Sequence, residues 1–203
     1  MNFLFYTILG YFMGSIIFGY IIPKGLKGID IRNVSKDGNP GTANSFSYAG
    51  MWCGILVLIC DMLKGGIPVY LAKQTLDTNH IYFAFVIMAP VLGHAFPAYS
   101  KLKNGGKGIA VSFGVLIGLY PKLSYAILLA FWYIFFSIIC NIRPHSYRTV
   151  VTYVFWVMNI MLIKGEVAIF IGSLLIAIVV YSKHMRELKS CNERQIRLLF
   201  KRS

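Results

Sequence analysis

A chain of 203 residues that is 57% hydrophobic, with a mean hydropathy of +0.66, has too few polar residues to coat a water-soluble globule. Its formal charge of +13 falls in separate short loops and not along one aromatic-studded surface. That excludes nucleic acid as the partner and leaves anionic membrane lipids and phosphorylated small molecules.

The composition predicts an all-α, polytopic integral membrane protein: a single transmembrane domain over residues 1–182 and a basic cytoplasmic tail over 183–203. The first apolar run lacks the basic leader and small-residue cleavage site of a secretory signal, so it reads as a retained helix. Cys53, Cys60, Cys140 and Cys191 show no metal-binding or disulfide spacing, and neither a metal nor a cofactor is indicated. Apolar runs at 3–23, 48–72, 81–99, 108–120, 122–141, 149–163 and 166–182 predict about seven transmembrane helices, the run at 108–120 being short. Pro121-Lys122 is either an external turn or a kink. Loops with Lys24, Lys27, Arg32, Lys36, Lys101, Lys103, Lys107, Arg143 and Arg148, and the tail, alternate with loops holding only Lys73, Lys122 and Lys164. By the positive-inside rule the N-terminus is outside and the C-terminus cytoplasmic, with every glycine-rich polar segment on the cytoplasmic face.

In chain order, the first such segment is Gly28–Gly50, too polar to span and too rich in turn formers for a long helix. Asn39-Pro40-Gly41 forces a turn, and Asn44 or Ser45 is placed to cap the helix that follows. Asp30, Arg32, Asn39, Thr42 and Asn44 are more polar ligands than a spacer needs. Within the second span, Asp61 and Lys64 share a helix face. A lone charge at that depth costs about 2.5–3.5 kcal/mol, so the two either pair to pin helix packing or line a polar site. Next comes GHAFPAYSKLKNGGKGIA, Gly93–Ala110. Gly105, Gly106 and Gly108 allow successive N–H groups to converge, and Lys107 adds a charge, which suits a phosphate. A lone GGKG reads equally well as a turn; His94, Phe96 and Pro97 upstream favour a site. The basic loop CNIRPHSYRTV reads as hydrated, His145 included. The tail, with seven basic residues interleaved with Ile196, Leu198, Leu199 and Phe200, reads as a surface helix on anionic lipid, and Lys183 and His184 emerge where the last span ends.

Taken together, GSIIFGYII, GIDIRNV with GNPGTAN, DMLKGGIPV and GHAFPAYSKLKNGGKGIA resemble the bacterial acyl-phosphate:glycerol-3-phosphate acyltransferase family across about the first 115 residues. The resemblance implies a seven-helix enzyme of the bacterial cell membrane. It would move an acyl group from acyl phosphate to the 1-hydroxyl of glycerol 3-phosphate, giving lysophosphatidic acid for phospholipid synthesis. Arg32, Asn39, Gly41, Asn44, Asp61, Lys64, His94 and Lys107 fall on motif positions, and His184 falls on a later one. Four features depart from the pattern: Ser35-Lys36-Asp37 is one residue longer than the family's Gly-Ser, Ser47 stands at an arginine, Glu187 stands at an asparagine, and the closing Gly-x-Glu is missing. These departures keep a second reading open, a degenerate relative with a different acceptor or a non-catalytic scaffold.

Acyl phosphate is already activated, so the protein must position two phosphates, neutralise them and supply donors to the oxyanion. The reading assigns catalysis to Lys107, His94 and Asp37. Substrate and phosphate binding fall to Arg32, Asn39, Gly41, Asn44, Gly105, Gly106, Lys64 and His184. His94, Asp37 and a substrate phosphate all remain candidates for activating the hydroxyl.

Overall fold

The computed structural model describes residues 2–101, 103, 105–163, 166–190 and 195–198. Asn2 caps α1 (Phe3–Ser15) by accepting the Leu4 N–H at 3.3 Å, and the chain turns extended at Ile16 before α2 (Phe18–Lys27). After α2 come α3 (Ile31–Val34), α4 (Thr42–Ala49) and the long α5 (Met51–Lys73). Next are α6 (Phe83–Ala95), a single tight turn at Ala98–Ser100, and α7 (Ile109–Gly118). A widened helical turn over Phe135–Ile139 continues α8 (Ser124–Ile134). The chain closes with β1 (Cys140–Arg143), α9 (His145–Met161), α10 (Val167–Ser190) and β2 (Gln195–Leu198).

The core is mostly apolar, as in a soluble bundle, but the surface is apolar too and a set of polar groups is buried. Trp52, Met161 and Leu162 are at least two-thirds exposed, while Ser45, Asp61, Lys64, His94, Ser112, Thr149, Thr152, Ser173 and His184 are buried. An apolar exterior with hydrogen-bonding groups facing inward is what a lipid solvent selects. Among the described residues, four stretches are long and apolar enough to cross a bilayer: Phe3–Lys27, Met51–Lys73, Phe83–Ser100 and Val167–Met185. Ile109–Gly118 and Ser124–Ile139 are shorter apolar helices. The short α7 packs closely on α5 because glycines meet there. A Cβ on Gly114 would fall 2.0 Å from the Met62 carbonyl oxygen, and one on Gly118 would fall 2.5 Å from that of Gly66.

Several expectations need correction. The tail does not begin as a separate surface element, because α10 runs unbroken through residue 182 to Ser190. Beyond it, Gln195–Leu198 is a strand and not part of a helix, antiparallel to β1 with Ile196 opposite Ile142. Ile196 and Leu198 are two residues apart, the period of a strand, and β1 offers an unpaired backbone edge. This two-stranded ribbon qualifies the all-α expectation and also orders part of the loop read as hydrated. Helix α4 starts at Thr42 with Gly41 at its N-cap, so neither Asn44 nor Ser45 caps it. Pro121-Lys122 lies in a turn between α7 and α8 and does not kink one continuous helix. Cys191, Lys164, Arg194, Leu199, Phe200, Lys201 and Arg202 lie outside the described residues.

Candidate active site

One end of the bundle gathers the polar loops. Asp30 caps α3 by accepting the Arg32 N–H at 3.1 Å, and the same carboxylate receives the Arg32 guanidinium at 2.9 and 2.6 Å. Those bonds hold the Asp30 carboxyl below its usual range and raise the Arg32 value. Arg32 also stacks on Tyr20, 3.8 Å from the ring centroid. It borders a largely apolar cavity of about 380 Å³ with Ile17, Ile21, Pro97 and Tyr99.

Further along the loop Asp37 is the knot. Its carboxylate accepts the Asn39 N–H at 3.2 Å, the Asn44 amide at 2.7 Å and the Lys107 ammonium at 2.7 Å. Asn44 also donates to the Asn39 carbonyl at 2.8 Å, so Asn39-Pro40-Gly41 is folded back onto α4. Burial acts to raise the Asp37 pKa, but the hydrogen bonds from Lys107 and Asn44 carry it below the ordinary carboxylate value.

Lys107 arrives from the glycine-rich loop after α6. Gly106 donates its N–H to the His94 carbonyl at 3.0 Å, and Lys183 from α10 donates to the Ala95 carbonyl at 3.0 Å. Together they satisfy two of the carbonyls that a helix C-terminus leaves open. A Cβ on Gly105 would fall 2.3 Å from the Ala95 oxygen, and one on Gly106 would fall 2.1 Å from His94 Nε2. Both glycines are therefore required for close packing on the end of α6, in addition to any role toward an anion. The Lys107 ammonium ends between two carboxylates on different elements, Asp37 at 2.7 Å and Glu187 of α10 at 2.5 Å.

Around this clamp, the rings of His145 and His184 lie 6.3 Å apart and Arg148 meets His145 Nδ1 at 2.9 Å. His184 Nδ1 contacts the Val180 carbonyl at 2.8 Å, and since a carbonyl only accepts, Nδ1 carries the proton and Nε2 is left as an acceptor. Ser35 Oγ, Asn39 Oδ1, Thr42 Oγ1, Arg148 Nε and His184 Nε2 are buried with no hydrogen-bond partner among the described residues. Polar atoms are seldom left so unless something else binds them.

Of the sequence-predicted residues, the structure brings Asp37, Asn39, Gly41, Asn44, Gly105, Gly106 and Lys107 into one cluster and sets His184 beside it through His145. Arg32 faces the apolar cavity. His94 and Lys64 lie beneath the loop, each about 3% exposed. Lys64 is paired with Asp61 at 2.7 Å, donates to the Ile16 carbonyl at 2.5 Å and meets His94 Nδ1 at 2.9 Å, so its ammonium is fully engaged by protein. Sequence reasoning missed Glu187 as a partner of Lys107, although its replacement of an asparagine was the visible signal. It set His145 aside as a hydrated loop residue and counted Arg148 only as a loop charge.

A family model described as glycerol-3-phosphate acyltransferase matches residues 4–193. A glycerol-3-phosphate acyltransferase of Thermotoga petrophila is 44% identical over 116 residues, 57% of this chain and 58% of that protein, so the match spans less than two thirds of its length. One from the Wolbachia of Brugia malayi is 33% identical over 183 residues, covering 89% of this chain and 90% of its own. Among solved structures, PlsY (YgiH), an integral membrane glycerol 3-phosphate acyltransferase, superposes in its glycerol 3-phosphate form with a TM-score of 0.79 at 31% identity, covering 92% of this chain and 90% of that one. Its lysophosphatidic acid form gives 0.78 at 29% identity, with the same coverage. A family match along nearly the whole chain, and a structural likeness that extends over the same helices, mean that the chain belongs to the glycerol-3-phosphate acyltransferase family.

Proposed function

We propose that the protein transfers an acyl group from acyl phosphate to the 1-hydroxyl of glycerol 3-phosphate, releasing phosphate and lysophosphatidic acid. The observation that carries this reading is the Lys107 clamp, one ammonium shared by Asp37 and Glu187, on loops that also carry buried polar atoms without hydrogen-bond partners among the described residues. A phosphate that enters displaces a carboxylate from Lys107 and takes up the free donors. The acyl chain lies in the apolar cavity with Arg32 at its edge to meet the donor phosphate. The hydroxyl oxygen attacks the acyl carbonyl carbon, the C–O bond to phosphate breaks, and the proton passes to His184 Nε2, the buried nitrogen that has a free lone pair. Asp37, which already accepts three hydrogen bonds, holds Lys107 and does not serve as the base.

In this reading about seven helical segments cross the bacterial cell membrane, with the N-terminus outside and the site and C-terminus cytoplasmic, and the basic tail lies against anionic lipid. A different acceptor is the second reading, favoured by one observation: Glu187 adds a carboxylate to the clamp and opposes a dianionic phosphate. The deciding experiment gives purified protein palmitoyl phosphate and labelled glycerol 3-phosphate, with palmitoyl-CoA as control donor. Labelled lysophosphatidic acid from palmitoyl phosphate alone is expected. Turnover of palmitoyl phosphate with glycerol but not glycerol 3-phosphate would establish the second reading, and no turnover with glycerol 3-phosphate would reject the first.

A further inference from the structure

Beneath the glycine-rich loop lies a buried chain of charged and polar groups. Asp61 and Lys64 of α5 are about 1% and 3% exposed, and the Lys64 ammonium has three neighbours within hydrogen-bond reach. They are the Asp61 carboxylate at 2.7 Å, the Ile16 carbonyl set free by the break between α1 and α2 at 2.5 Å, and His94 Nδ1 at 2.9 Å. An ammonium has three protons and no lone pair, so toward each neighbour it donates. His94 Nδ1 is therefore the acceptor, and the proton of a neutral ring must sit on Nε2. That nitrogen occupies the space that a side chain on Gly106 would fill, against the loop that presents Lys107.

We propose that Asp61 and Lys64 are positioning residues that lock His94 in its Nε2–H tautomer, so that it offers the glycine-rich loop a hydrogen-bond donor and never a base. Asp61 keeps Lys64 charged, Lys64 fixes Nδ1 as acceptor, and the Ile16 carbonyl ties the network to the kink after α1. His94 and His184 then hold opposite tautomers: a donor beneath the loop, and a free lone pair at Nε2 on α10. The donor stabilises negative charge on phosphate held by the loop, and its proton stays on Nε2 throughout. This assignment rests on the acyl-transfer reading for its consequence, but not for its geometry.

The test is ¹⁵N NMR of histidine-labelled full-length protein in bilayers, with His94→Gln used to assign the signal. Wild type is expected to show His94 with a pyrrole-type Nε2 and a pyridine-type Nδ1. The reverse pattern, which requires a neutral Lys64 amine that accepts from Nδ1–H, would overturn the proposal. In Asp61→Asn/Lys64→Met, which leaves no unpaired charge, the signal should become a mixture of tautomers. The kcat with palmitoyl phosphate should fall about 10- to 100-fold, with KM for glycerol 3-phosphate little changed. Lys64→Arg with Asp61 retained, which keeps an obligate donor at residue 64, should keep the single tautomer and much of kcat. An unchanged single tautomer in the Met variant would show that Lys64 does not set it, and would equally overturn the proposal. If wild type lacks acyl transfer, the proposed function fails while the spectra still decide the tautomer. If the variants do not fold, the wild-type spectrum alone decides.

Discussion

Lys107 is the residue on which the functional reading turns, because its single ammonium joins the glycine-rich loop to Asp37 and to Glu187. A compact point charge fits between two carboxylates where a planar guanidinium does not. Lys107→Ala and Lys107→Arg should therefore insert normally and lose most turnover, at a cost of about 2–4 kcal/mol in the barrier by analogy with loss of one oxyanion donor. Wild-type turnover in Lys107→Ala, measured with palmitoyl phosphate, would reduce the loop to a turn. Asp37 carries a second expectation, about pH. Its folded pKa lies below that of an ordinary carboxylate, because Lys107 and Asn44 outweigh its burial. A depressed carboxylate contributes stability that is present above its unfolded pKa and is lost as pH falls through its folded pKa. Thermal melts of wild type and Asp37→Asn should thus differ most near neutral pH and converge as pH drops below about 4. A gap that widens in acid would mean that Asp37 is not held by Lys107 in solution.

At the level of elements, the apolar helices were legible because their hydrophobic runs are long. The four stretches able to cross a bilayer coincide with the predicted runs at 3–23, 48–72, 81–99 and 166–182. The Asp61 and Lys64 pair was legible from its three-residue spacing, which put both charges on one helix face. Its partners were not: Ile16 and His94 lie 48 and 30 residues away from Lys64, and only packing brings them there. The sequence also marked Gly105 and Gly106 as anion binders without disclosing that they must fit against His94 and Ala95. The form of the tail was misread: its basic residues interleaved with apolar ones suggested a surface helix, whereas the alternation in Gln195–Leu198 fits the edge of β1. The buried pair gives the test at this scale. Asp61→Ala or Lys64→Ala leaves a charge buried alone, at a cost of about 3–5 kcal/mol, and removing both should cost less than either single change. Denaturation of the four proteins in one detergent checks this, and a double variant no more stable than the singles would show that the pair does not serve stability.

For the whole molecule the question is which ends of the helices share a side of the membrane, and the ion pairs answer it more directly than helix lengths do. Lys107 of the loop before α7 meets Asp37 and Glu187, whereas Lys73 at the end of α5 donates to the Tyr120 carbonyl just after α7. Lys122 pairs with Glu166 at the start of α10, and it shares a cavity of about 330 Å³ with Lys73 and Asp77. Thus α7 begins at the end of the bundle that holds the site and finishes at the opposite end. Its 10 residues rise only about 15 Å, half of a hydrocarbon core of about 30 Å. For α7 to connect the two faces, the bilayer must thin beside it or the glycine-rich loop must sit below headgroup level, where the head of an acyl phosphate would meet it. The proposed orientation takes its direction from the loop charges: Lys24, Lys27, Lys36 and Lys107 lie at the site's end, which the positive-inside rule assigns to the cytoplasm. In a background without native cysteines, single cysteines at Thr78 and Tyr120 should react with an impermeant reagent added outside intact cells. One at Lys36 should react only after the membrane is opened, and a reporter fused at the C-terminus should read cytoplasmic. Labelling of Tyr120→Cys from the inside would mean that α7 and α8 form a re-entrant hairpin, which would separate Lys73 and Lys122 from the outer face and break the assignment of all the glycine-rich loops to one compartment.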